Sequence, residues 1–194
     1  MYQVFPGIEL VYNDMHMEYC NKEQKPASSV MEINYCMEGR CECVFEQNEY
    51  GYIAAGDLSF CSLKKSGHVS EFPTSHYHGI TITLDFFRIT DEMKRILQLL
   101  SVNLEKIRNI SKTHSFTIIR SNHSIEHTFS ELYKVPEEIR YGYIRVKILE
   151  LLLVLTGFDL KKNNSEHIYF SEVQIDAIKQ VHAFLKEHYR EHYT

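Results

Sequence analysis

Two short stretches carry the side chains best suited to chemistry. In EINYCMEGRCECVF, residues 32–45, three cysteines stand at the spacing C-x4-C-x-C: Cys36, Cys41 and Cys43. Thiolates bind soft metals or cycle with disulfides, yet zinc sites usually pair cysteines two to four residues apart, and this run matches no common pattern. A geometric reading competes with the chemical one. Glu38-Gly39 suits a two-residue turn in which glycine supplies a positive φ at little steric cost. Cys36 would then face Cys41, and Asn34 would face Cys43, as cross-strand pairs of a hairpin.

The second stretch is HYHGITITLDF, residues 76–86. Alternation along a strand puts His76, His78, Ile80, Ile82, Leu84 and Phe86 on one side. If that side lines a barrel, both imidazoles sit near one mouth of an apolar cavity, the usual setting for a small-molecule site. The upstream loop Glu71-Phe72-Pro73 and His68 would form the rim, and Tyr35 of the early strands is a further candidate. Two histidines at i, i+2 also chelate metals, but a third ligand from Glu71, His68 or a cysteine is not fixed locally. Ordinary hydrogen-bonded strand histidines are the third reading. The expected ligand contacts are therefore His76, His78, Phe72 and Tyr35, with no catalytic residue, metal or cofactor assigned. G-x-S-x-G, a glycine-rich phosphate loop and H-E-x-x-H are all missing, so an enzyme is not expected.

The elements that position these residues fall into two halves with different periods. Residues 1–88 read as short strands: VMEINYCM, CECVFEQ, YGYIAAG, LSFCSL and HYHGITITLDF, separated by turn residues. Such a series predicts an antiparallel barrel or sandwich. Residues 89–160 change to a helical period. TDEMKRILQLLSVNLEKIRN predicts one helix capped at Thr90 or Asp91. A short strand, SFTIIRS, separates it from SIEHTFSELYKV, and PEEIRYGYIRVKILELLLVLTGF follows with Pro136 in its first turn. That last helix is apolar around most of its circumference and must be covered on all sides. Covering by a second subunit is preferred to covering by neighbouring helices, which makes Ile148, Leu151, Leu152 and Leu155 the expected dimer interface. Residues 161–194 comprise a polar linker, KKNNSEH, and a final amphipathic helix with Ser171 and Gln174 as a modest capping box.

Bulk properties narrow the partners. The net charge is −5 and no stretch gathers Lys and Arg into a stripe, so these 194 residues lack the basic face expected of a chain that binds DNA alone. Five cysteines make an odd number, and no signal peptide or apolar run of about 20 residues is present, which predicts a soluble protein in the reducing cytoplasm.

EINYCMEGRCE, GYIAAGDLSFCSL, FPTSHYHGITITLDF and FSELYKVPEEIRYGYIRVKILELLLVL, in that order, resemble the N-terminal half of AraC-type transcriptional regulators, from about residue 30 onward. The resemblance implies an α+β fold: a cupin-like antiparallel β-barrel that senses an effector, then an α-helical dimerisation region. It also implies a C-terminal DNA-binding domain with two helix-turn-helix motifs, into which IDAIKQVHAFLKEHYREHYT looks like the lead-in. The recognition helices are absent from these residues, so DNA is expected as a partner only through that missing part. Catalytic cupins carry H-x-H with a downstream glutamate on early strands. Here the one H-x-H is His76-Tyr77-His78 on the last strand, which leaves a stand-alone metal-dependent cupin enzyme as the alternative.

Overall fold

The computed structural model describes residues 1–22, 29–44, 49–63, 68–110, 116–120, 123–157 and 169–189. The KKNNSEH linker and the last five residues lie outside them. The chain is α+β, as its two periods predict. Its strands are β1 (Tyr2–Phe5), β2 (Ile8–Met15), β3 (Tyr19–Lys22), β4 (Val30–Val44), β5 (Glu49–Ala54), β6 (Asp57–Ser62), β7 (His68–Glu71), β8 (Tyr77–Asp85), β9 (Phe116–Arg120) and β10 (Tyr169–Ser171). Its helices are α1 (Asp91–Leu99), α2 (Leu104–Ile110), α3 (His123–Tyr133), α4 (Arg140–Gly157) and α5 (Glu172–His188).

Every ladder is antiparallel. One sheet runs β1-β2-β8-β4-β6-β9, the other β10-β5-β4-β7-β3, and β4 belongs to both. The two sheets wrap around their shared strand, but among the described residues the ladder does not close into a ring.

The long β4 overturns the hairpin expected at Glu38-Gly39. Asn34 and Cys36 do not fold back on Cys43 and Cys41. Cys36 pairs with Gly79, whereas Cys41 and Cys43 pair with Ile53 and Gly51 of the second sheet. Gly39 does adopt a positive φ of 83°, but it serves a bulge between Cys36 and Glu38 instead of a turn. The bulge bends β4 from one sheet into the other, which is the usual work of an extra strand residue. Side-chain alternation alone cannot separate these two uses of a glycine.

Two apolar clusters fill the molecule. The larger joins Ile8, Leu10, Ile33, Tyr35, Ile80, Ile82 and Leu84 of the first sheet to buried residues of α1–α4. The smaller lies between the sheets and includes Cys36, Cys41, Ile53, Cys61, Phe72, Tyr77 and Phe116. The Ile80–Leu84 side of β8 is thus backed by helices and does not line the space between the sheets.

The helical half departs from expectation at two places. The helix predicted over residues 90–109 is two helices. Thr90 does cap α1, its Oγ1 accepting from Met93 N at 3.3 Å, but Ser101 takes a φ of 60° and Asn103 restarts the chain, its Oδ1 accepting from Lys106 N at 2.9 Å.

The second departure concerns α4. Ile148, Leu151, Leu152 and Leu155 are each at most 1% exposed, covered by their own chain against β1, α2 and α3. Each contributes about 1.5–3 kcal/mol by leaving water, so none of the four is left to meet a second subunit. On the opposite side of α4, Val146 and Leu153, seven apart, are 61% and 46% exposed. Among the described residues no helix is long and apolar enough to cross a membrane.

Candidate functional site

Register places a polar cluster at one end of the β2-β8-β4 ribbon. Asp14 is the cross-strand partner of His78, and on its other side His78 is paired with Glu38. His16 follows two residues after Asp14, and His76 lies two before His78, so the same alternation carries both to the same end. The loop before β8 is held by a turn in which Ser75 N donates to Phe72 O at 2.8 Å, and Thr74 Oγ1 donates to His76 O at 3.0 Å.

Three imidazoles and two carboxylates result. Asp14 Oδ1 is 2.8 Å from His16 Nε2 and 2.7 Å from His78 Nε2, while Glu38 Oε2 is 3.3 Å from His76 Nε2 and 3.7 Å from His78 Nδ1. Ring centroids are 4.4 Å apart for His76–His78 and 5.2 Å for His16–His76. His78 Nε2 is shut off from solvent, and its approach to Asp14 is out of line for a hydrogen bond.

A second feature is a cavity of about 600 Å³ between the sheets' rim and α5. The strand side supplies Arg40, Glu42, Glu71 and Phe72, and α5 supplies Ile178, Lys179 and His182. Glu42 is 1% exposed and receives Lys179 Nζ at 2.9 Å, which also reaches Glu71 at 3.1 Å. Burial works against the Lys179 ammonium, but the Glu42 and Glu71 carboxylates outweigh it and hold its pKa above the ordinary lysine value. This pairing ties α5 across the mouth of the cavity. The short β10 anchors the same segment by pairing with β5.

The four residues expected to contact a ligand are dispersed. His76 and His78 stay together in the polar cluster. Phe72 packs on Tyr77 with ring centroids 5.4 Å apart and lines the cavity. Tyr35 stacks nearly parallel on Phe129 at 4.3 Å inside the helix-backed core and lines neither feature. His68 is on β7, where its side chain lies outside the described residues. Missing from the sequence reading were His16, Asp14 and Glu38. The faint signal was a D-x-H run, Asp14-Met15-His16, with the same two-residue step as His76-Tyr77-His78. Cys41 and Cys43 sulfurs are 3.6 Å apart, and none of the five cysteines is in a disulfide.

The chain is thus a two-sheet antiparallel fold flanked by helices, with a cavity between the sheets' rim and a C-terminal helix. Among the solved structures it resembles are those of ToxT from Vibrio cholerae, an AraC-family regulator. Wild-type ToxT of strain SCE256 bound to an unsaturated fatty acid matches with a TM-score of 0.53 at 13% identity, covering 100% of this chain and 68% of that one. ToxT of strain O395 bound to (E)-4-(8-methylnaphthalen-1-yl)but-3-enoic acid matches with a TM-score of 0.52 at 14% identity, covering 97% and 68%. At such identities the likeness is one of fold. No protein-family model matches the chain, and no curated protein matches it in sequence.

Proposed function

We propose that this chain is the effector-sensing regulatory part of an AraC-type transcription regulator. The observation that carries the reading is the 600 Å³ cavity whose wall is shared between the sheet and α5, with Lys179 bridging the two. A ligand entering there competes for the Glu42–Lys179–Glu71 pairing or reinforces it. Occupancy is thereby converted into a change in how α5 is held. A ligand biases α5 only by as much as it prefers one arrangement over the other. In this reading DNA contact falls to a helix-turn-helix domain attached through α5.

The ToxT structures hold carboxylic acids with long or bulky apolar tails. The cavity of this chain sets Arg40, Lys179, His182 and Lys186 beside Phe72 and Ile178, so an unsaturated fatty acid is the first probe. Dimerisation belongs to the same reading, through the Val146–Leu153 stripe of α4.

The test is hydrogen exchange with and without an unsaturated fatty acid, read peptide by peptide. Binding that raises the melting temperature and changes exchange in α5 supports the proposal. Binding that leaves α5 exchange untouched, or that survives Arg40→Ala and Lys186→Ala together, overturns it.

A further inference from the structure

We propose that His16, His76 and His78 form a binding site for one divalent transition-metal ion of the zinc(II) or cobalt(II) type. The inference is independent of the effector cavity, which lies at α5 and is lined by other residues.

The three imidazoles place one ligand nitrogen each within 4.8 Å of the other two. An ion held tetrahedrally at about 2.0–2.1 Å from each nitrogen needs them roughly 3.3 Å apart. The difference is a small side-chain rotation, and His16, 65% exposed, is free to make it. The β2-β8 ladder pairs Asp14 with His78 and Met15 with Tyr77, so His16 and His76 leave its end side by side. His76 in turn is held by the loop bond from Thr74.

Ligand chemistry selects the ion. Imidazole nitrogen suits zinc, copper, nickel and cobalt, whereas magnesium and calcium require mostly oxygen. Asp14 and Glu38 supply the negative charge that offsets a dication, and Glu38 Oε2 lies 3.7 Å from His78 Nδ1, the ring nitrogen opposite the ligating Nε2. His78 Nε2 carries the most specific sign. A buried nitrogen without an aligned partner is costly, and metal coordination satisfies it. Three histidines leave an ion one coordination position for water or an exogenous donor, as in zinc sites that exchange ligands.

The test uses chelator-stripped protein titrated with Co²⁺ and followed in the visible region, then displaced with Zn²⁺. One equivalent of Co²⁺ should give d–d bands without the intense near-ultraviolet absorption of cobalt–thiolate bonds, and Zn²⁺ should abolish them. His16→Ala, at an exposed position, should keep the circular dichroism of the parent and lower Co²⁺ affinity at least about tenfold. Asp14→Asn should cost about 10–100-fold. The proposal is overturned if Co²⁺ produces no visible bands at one equivalent, if a thiolate band dominates, or if His16→Ala binds as tightly as the parent. Should the His76→Ala/His78→Ala protein fail to fold, the His16 and Asp14 variants decide the matter.

Discussion

Gly39 and His76 meet backbone to backbone: a Cβ on Gly39 would overlap the His76 carbonyl oxygen, and Gly39 already sits at a φ of 83°. The bulge that bends β4 and the loop that presents His76 are therefore one packed unit. Gly39→Ala should destabilise the protein by about 2–4 kcal/mol, combining left-handed strain with a displaced loop. Denaturant melts measure the loss, and weaker Co²⁺ binding should accompany it. A melt within about 0.5 kcal/mol of the parent would show that the two backbones are not in contact.

The two faces of α4 give opposite expectations. Leu152→Glu buries an uncompensated charge in the helix-backed core and should unfold the domain. Val146→Glu and Leu153→Glu place the charge on the outward face and should leave the fold intact while reducing a dimer to a monomer by light scattering. A monomeric parent protein, or a dimer indifferent to both outward substitutions, removes α4 as the interface.

Lys179 is the tether of α5. Lys179→Met keeps the apolar stem but strands the buried Glu42 carboxylate, at an expected cost of about 1–3 kcal/mol. Exchange should quicken in α5 and not in β8. If α5 exchanges at the parent's rate, the ion pair does not hold the helix.

Burial pushes the Cys36 thiol up to about 12, with Cys41 and Asp57 adding to the effect, and burial likewise lifts the Tyr77 phenol well above 10.0. Both groups hold their protons more tightly folded than unfolded. Their stabilisation is complete below the unfolded-state values of 9.0 and 10.0 and is lost as pH climbs toward the folded values. The melting temperature should fall steeply between about pH 9 and about pH 11, and Cys36 should resist alkylation in the native state at neutral pH. Native alkylation of Cys36 as fast as in urea would contradict the buried position.

Much of this protein was legible in its sequence because local periods report local facts. Alternation in HYHGITITLDF marks a strand, the apolar step of α3 and α4 marks helices, and Thr90 marks where α1 begins, whereas Pro136 precedes a 3-10 turn, Glu137–Ile139, and α4 starts only at Arg140. The α+β class followed from those signals. What each face touches did not follow, because a period says that a side is covered and not by what. Leu152 was expected to face a second subunit and faces its own chain; Ile80 was expected to line a cavity and is backed by helices. Gly39 was readable as a position needing a positive φ, yet whether that φ makes a turn or a bulge depends on β8 lying alongside. Only tertiary register brought Asp14 on β2 and His16 just after it beside His78 and His76, sixty or more residues away in the chain. The same is true of Lys179, which meets Glu42 across 137 residues. Short-range sterics and hydrophobic spacing are written residue by residue, whereas a site assembled across strands exists only once the strands have chosen their neighbours.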